Sequence, residues 1–223
     1  MAVALLLLSC APAGAAELGT MASLSSSGWF RGYSTSAGHP VAWLDLSYDL
    51  TSGAYAGVSG SVLAEGSGVH GHALELYGGY ARKISPALTL DLGAVHSTFS
   101  HYAALPGGRS FTEVYAGLSG KRLSGRLSVS PRYLTGYATA YAEVNASAPV
   151  GGGFSLEGHA GLLKALSGGY GEDPDLDWRA GVTRRVHGFS LRADWVGGTP
   201  GRESYDDRTH KRSAIVVGIS RGL

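Results

Sequence analysis

The stretch Phe111–Arg132, FTEVYAGLSGKRLSGRLSVSPR, limits the possible folds more than any other part of the chain. Thr112, Val114, Ala116 and Leu118 form one row of alternating residues, and Phe111, Glu113, Tyr115 and Ser119 form the other. After the break Gly120–Lys121–Arg122 the alternation resumes. Leu123, Leu127 and Val129 then lie on one side, with Ser124, Arg126, Ser128, Ser130 and Arg132 on the other. A period of two marks strands, because successive Cβ atoms point to opposite faces of a sheet. The short connection makes the pair an antiparallel hairpin. One face is aliphatic and the other carries charge, so the fold turns on which face is inside.

The same pattern runs through the rest of the chain. Ala42, Leu44, Leu46 and Tyr48 oppose Trp43, Asp45, Ser47 and Asp49. Leu74, Leu76 and Tyr80 oppose Glu75 and Tyr77, and Leu88, Leu90 and Leu92 oppose Thr89 and Asp91. Later segments repeat it around Glu143, Glu157, Arg179, and the pair Arg192 and Asp194. Residues 18 to 33 alternate weakly, with Leu18, Ala22, Leu24 and Phe30 on one row and Trp29 and Arg31 on the other. The count is about twelve strands of about ten residues, with no helical segment. Pro131 lacks a ladder donor, so the strand before it should end or bulge there. Breaks at 51–53, 83–86, 120–122, 149–153 and 187–188 are short, whereas those at 34–40, 65–71, 99–110, 133–137, 164–175 and 197–212 are mostly longer. In an antiparallel meander alternate connections share an end, so one end is trimmed and the other elaborated. Outer-membrane barrels have this asymmetry.

Composition agrees. Charged residues are 16% of the chain and glycine contributes 35 of 223 residues, respectively well below and over twice the usual shares, which fits either a soluble all-β protein or a barrel in a membrane. The net charge of +1 gives no field suited to nucleic acid. Residues 1–16 read as a secretory leader, with an apolar run Ala2–Leu8 and cleavage after Ala15 or Ala16, although no Lys or Arg precedes the run. Lipoprotein processing at Cys10, the one cysteine, is the alternative. Residues 17–223 then form the barrel and contain no cysteine to build a disulfide framework. No later segment is apolar over the ~18 residues a spanning helix needs.

A soluble sandwich or barrel would bury the aliphatic row. Three features favour the inverse. Each aliphatic row is about as long as a tilted membrane strand. Tyr48, Tyr80, Phe154, Trp178, Phe189 and Trp195 share that row near strand ends, as an interfacial girdle would. The leader delivers the chain to the compartment where such barrels assemble. The predicted fold is an all-β, antiparallel up-and-down transmembrane β-barrel in the bacterial outer membrane. Its lumen-facing candidates are Asp45, Glu75, Asp91, Glu113, Arg126, Glu143, Glu157, Arg179, Arg192 and Asp194. Adjacent strands should let Glu113 meet Arg126 diagonally, and Arg179 meet Asp194 across the His187–Gly188 turn.

Several segments, taken in order, resemble the TorF family of outer-membrane porins. They are Trp29–Ser34 (WFRGYS) followed by Pro40, Leu74–Tyr80 (LELYGGY), Phe111–Leu118 (FTEVYAGL), Leu127–Pro131 (LSVSP) followed by Tyr133, and Tyr141–Asn145 (YAEVN). The resemblance covers most of residues 17–223 and implies a small proteobacterial barrel. It transfers no catalytic residues. Leu223 departs from the aromatic residue on which such barrels usually finish.

Other motifs carry less. Gly66–Gly71 matches G-x-G-x-x-G, but the following segment alternates and opens no helix, so the match reads as a loop. His70, His72, His96 and His101 lack a metal-ligand spacing and read as solvated loop histidines. Asn145–Ala146–Ser147 lies inside a strand and is a chance sequon. No nucleophile stands in a recognisable catalytic motif. The functional expectation is a channel for small polar solutes, with selectivity set by the charged row. The alternatives are a non-conducting structural or adhesive barrel, using the loops at 99–110 and 197–212, and an outer-membrane hydrolase. No cofactor or metal is expected. Expected partners are outer-membrane lipids, lipopolysaccharide, small polar solutes and the barrel-assembly machinery, but not nucleic acid.

Overall fold

The computed structural model describes residues 16–101, 103, 110–134, 136–166, 173–199 and 213–223. The leader expected at 1–16 lies outside them except for Ala16, as does most of the loops at 99–110 and 197–212. The strands are β1 (Glu17–Ser25), β2 (Trp29–Phe30), β3 (Tyr33–Ser34), β4 (Val41–Asp49), β5 (Ala54–Glu65), β6 (Gly68–Ser85) and β7 (Leu88–Phe99). They continue as β8 (Ser110–Ser119), β9 (Leu123–Ser130), β10 (Thr139–Gly151), β11 (Phe154–Ala165), β12 (Asp175–Val186), β13 (Phe189–Gly198) and β14 (Ser213–Gly222).

Strand β1 and strands β4 to β14 close into a twelve-stranded barrel, each antiparallel to its neighbours in sequence order. The seam is the pairing of β1 with β14, from Met21 opposite Gly222 to Ser25 opposite Gly218. Closure leaves no unpaired edge, which a sheet in a medium without water requires. β2 and β3 form a separate two-stranded hairpin between β1 and β4.

The charged row faces in and the aliphatic row faces out. On β8, Phe111, Glu113 and Tyr115 are buried at 3%, 4% and 8% exposure, while Val114 and Leu118 stand at 58% and 44%. Leu44, Leu74, Leu127, Leu156 and Leu191 on other strands are likewise exposed outward. Chain direction places the connections 50–53, 86–87, 120–122, 152–153 and 187–188 at one end, the turn end, together with both termini of the barrel. His187 and Gly188 have φ of 49° and 82°, the left-handed pair a two-residue hairpin turn needs. β9 stops at Ser130, before Pro131.

Two connections differ from the sequence reading. The break expected at 65–71 is only Gly66–Ser67, because β5 and β6 continue pairing up to Glu65 opposite Gly68. Glycines carry no side chain to mark a face, so their strand is invisible to an alternation argument. The second difference is residues 26–40, which neither continue β1 nor lie over the rim. They carry the β2–β3 hairpin into the barrel, and Phe30, expected on the row of Leu18 and Leu24, is buried inside at 4%.

Candidate functional site

The site is the lumen, which has two parts. Nearer the turn end, inward tyrosines reach across glycines to carboxylates. Tyr77 on β6 lies over its register partner Gly57 on β5, where an added Cβ would collide with the phenol ring. Its hydroxyl donates to Asp45 on β4, at 3.1 and 3.0 Å from the two carboxylate oxygens. Tyr55 on β5 lies over Gly79 in the same way and donates to Asp91 Oδ1 on β7 at 2.6 Å. Tyr115 crosses Gly93, and its hydroxyl meets that of Tyr55 at 2.5 Å. Nearer the loop end, Tyr141 on β10 crosses Gly161 in the same way and donates to Asp177 on β12 at 3.0 Å. Each phenol thus bridges three strands, and glycine is needed on the strand between because any Cβ would fill the ring's path.

Arg126 sits within this belt. Its guanidinium stacks over Tyr115, 4.2 Å from the ring centroid, and lies 3.5 Å from Asp91 and 4.0 Å from Glu143. Farther round the wall, Arg192 pairs with Asp194 at 2.6 Å. Glu157 accepts a hydrogen bond from Ser147 at 3.1 Å. Arg179 Nε is buried without a hydrogen-bond partner among the described residues. His159 faces Asn145 Oδ1 and Asp177 Oδ1, each at 2.8 Å.

Toward the loop end, the β2–β3 hairpin crosses the bore. Arg31 and Gly32 turn it with φ of 46° and 81°. The Arg31 conformation costs about 1–3 kcal/mol for a residue with a side chain, so its surroundings must hold it. They do so with a bidentate pair: Arg31 Nη1 and Nη2 donate to Glu113 Oε1 and Oε2 at 2.9 and 2.7 Å. The guanidinium also lies over Tyr141, at 3.8 Å from its centroid, and beside Tyr133. Burial by itself would lower the Arg31 pKa, but the negative charge Tyr133 carries once ionised and the Glu113 carboxylate outweigh it and hold that pKa above the usual range. Tyr133, on the β9–β10 loop, is pushed up to about 12 by burial, although the Arg31 cation opposes the shift.

Phe30 packs between Phe99 and Phe111, at centroid distances of 5.6 and 5.9 Å, and Phe111 packs edge-on against Tyr133 at 4.7 Å. With Ala73, Ala103 and Leu134 these rings form an apolar core inside the barrel. The hairpin reaches both sides of the bore. Thr35 O faces His72 Nε2 on β6 at 3.1 Å, and the Tyr33 hydroxyl donates to Asp175 on β12 at 3.3 Å. In the strand order β6 and β12 lie halfway round the ring from each other. Gly32 and Gly198 touch so closely that a Cβ on either would overlap the other's Cα.

These contacts correct three expectations. Glu113 pairs with Arg31 and not with Arg126, because β8 and β9 place Arg126 opposite Gly117, nearer Asp91 and Glu143. Asp194 pairs with Arg192 on its own strand, since Gly181 and not Arg179 stands opposite it. His72 is buried at 1% exposure and is not a solvated loop residue. A bulge pairs Ser61 with Ala73 and Val62 with Gly71, so His72 is the extra residue and turns inward. Among the described residues no group of three His, Cys, Asp or Glu is arranged to hold a metal ion. Glu75, the remaining candidate, is buried and accepts from Ser97 at 2.8 Å. Arg31, Asp177 and His159 were absent from the sequence-based candidates. Asp177 and His159 stood on the wet row and were legible there, whereas Arg31 lay in a weakly alternating segment that gave no sign of turning inward.

A closed antiparallel barrel with an aliphatic exterior and an ionised, hydrogen-bonded interior has the fold of the small outer-membrane porins. The chain belongs to the Gcw_chp family, described as "Bacterial protein of unknown function", whose model matches residues 9–221. Among solved structures it is similar to the NanC porin, with 11% identity, a TM-score of 0.62, and coverage of 93% of this chain and 100% of that one. It is similar to the KdgM porin at 10% identity and a TM-score of 0.55, covering 93% of this chain and 99% of that one. The COG4313 outer membrane channel from Pseudomonas putida F1 gives 12% identity and a TM-score of 0.50, with coverage of 95% and 96%. At these identities the likeness is one of fold. No curated protein sequence matches the chain.

Proposed function

We propose that this chain is a bacterial outer-membrane channel that passes small polar solutes, with selectivity set by the charges on the barrel wall. The observation that carries this reading is the inversion of the barrel: aliphatic side chains cover the outside while Glu75, Asp91, Glu113, Glu143 and Asp194 are enclosed. A soluble protein gains nothing from that arrangement, whereas a bilayer stabilises the outside and water the inside. The ordered resemblance to the TorF porins, the secretory leader expected at 1–16 and the likeness to NanC and KdgM support the same reading. KdgM has been crystallised in complex with disordered oligogalacturonate, a polar solute, and we carry over to this chain only that broad class. No enzymatic role is proposed.

Charge inside a narrow, low-dielectric wall acts strongly on a passing ion. Arg126 is the best placed cation, between Asp91 and Glu143 and braced by Tyr115. Purified protein in planar bilayers is expected to give discrete conductance steps, and Arg126→Glu is expected to shift the reversal potential toward cation preference. Well-folded protein without steps would end the channel reading. Steps with unchanged selectivity would remove Arg126 from the path.

A second reading rests on one observation, the β2–β3 hairpin bridging opposite strands of the bore. On that reading the resting barrel is closed or nearly so, and its role is structural or adhesive. Wild-type silence with conduction after deletion of residues 29–34 would favour a plugged channel. Silence in both forms would favour the structural barrel.

A further inference from the structure

The turn end of the barrel carries a charge imbalance that the channel reading does not use. Arg82, Arg184 and Arg221 are exposed at the ends of the outward rows of β6, β12 and β14, directly after Tyr80, Val182 and Ile219 on those rows. Two of them rest on aromatic rings of the neighbouring strand. Arg184 lies 4.9 Å from the centroid of Phe154, and Arg221 lies 4.9 Å from that of Phe189. Both pairs are direct register partners. Lys121 and Arg122 in the β8–β9 turn, with Lys83 and Arg185 at the ends of β6 and β12, add further exposed cations. Only Glu17 and Asp49, opposite each other on β1 and β4, counter them among the described residues. None of these cations makes an ion pair among the described residues. The described loop-end rim, by contrast, sets Arg132 and Lys164 against Glu65, Asp173 and Asp175.

We propose that this rim is a binding surface for anionic phospholipid headgroups in the leaflet on the turn side. The inference rests on the outer-membrane reading above. Direction decides the partner. Arg82, Arg184 and Arg221 project sideways from the barrel just below an apolar band, where headgroups lie, and not downward from the turns, where a soluble acidic protein would dock. Aromatic rings favour the boundary between acyl chains and headgroups. An arginine stem lying along such a ring leaves its guanidinium in the headgroup layer, where its planar fork matches phosphate oxygens. The cations in the turns extend the attraction to the anionic surface as a whole.

The test uses the full barrel reconstituted in vesicles of phosphatidylcholine alone and of phosphatidylcholine with phosphatidylglycerol. Phosphatidylglycerol is expected to raise the thermal unfolding midpoint. The triple variant R82Q/R184Q/R221Q is expected to lose that increment, measured against its own midpoint in phosphatidylcholine. An equal increment in both proteins overturns the proposal. Failure of the wild type to insert into either vesicle would instead defeat the outer-membrane reading, so the two failures are distinguishable. If the triple variant does not fold, native mass spectrometry of the wild type released from mixed vesicles decides the matter. Preferential retention of phosphatidylglycerol is expected, and equal retention of both lipids overturns the proposal.

Discussion

At the turn end of the lumen, the space inside the barrel is organised by side chains that belong to the wall. Tyr55, Tyr77 and Tyr115 cross glycines and terminate on carboxylates or on each other, so adjacent strands are cross-linked without any loop entering. Toward the loop end, the space is organised by a segment that is not wall at all. The β2–β3 hairpin brings an aromatic core and a buried ion pair with it. The two devices fail differently. The tyrosine belt is distributed, and losing one phenol leaves the others in place. The hairpin's ion pair rests on a single guanidinium that is simultaneously paired with Glu113 and stacked on Tyr141. A concentrated, buried charge pair is brittle because removing one member strands the other in a poorly solvating site.

The largest expected effect therefore belongs to the hairpin. Arg31→Ala should destabilise the barrel by about 3–5 kcal/mol in denaturant unfolding from detergent, because Glu113 is left buried without its cation. The double variant R31A/E113Q should recover part of that loss. A cost for Arg31→Ala no larger than that of an exposed pair would show that the apolar packing of Phe30, and not the charge, holds the segment.

A smaller effect is expected in the belt. Gly57→Ala should cost about 1–3 kcal/mol through overpacking against the Tyr77 ring, and Tyr77→Ala in the same chain should relieve it. Gly57 is the informative choice because the atoms nearest its added Cβ all belong to Tyr77. If the two substitutions simply add, the ring does not lie across that glycine.

The smallest effect concerns pH and separates the two regions again. Tyr133 beside the hairpin keeps its proton to about pH 12 in the folded barrel, against an ordinary value of 10.0. Its contribution is thus fully present below pH 10.0 and is lost as pH rises through about 12. Stability should fall over that window, and Tyr133→Phe should flatten the fall. An unchanged slope in the variant would mean that Tyr133 ionises freely in the folded state.

How far the sequence could be read depended on whether a segment carries its signal in its own side chains. On β8 the alternation of Phe111, Glu113 and Tyr115 with Val114 and Leu118 is unambiguous, and the strand is where the pattern placed it. Pro131 marked the end of β9 because a missing donor is a local fact. Residues 66–71 misled because glycine and a two-residue turn leave little pattern to read. The partner of Glu113 could not be reached by counting along a hairpin, since the cation comes from a segment 82 positions earlier in the chain.

The order of residues alone thus determined most wall strands, their alternation, a count of about twelve and which row carries charge, because each follows from local geometry repeated every two residues. Tertiary structure decided what fills the bore. Whether residues 29–34 turn in or out, whether His72 points inward, and which carboxylate each arginine meets all depend on strands distant in sequence arriving at the same place. That arrangement exists only once the ring has closed and its interior volume must be occupied by something.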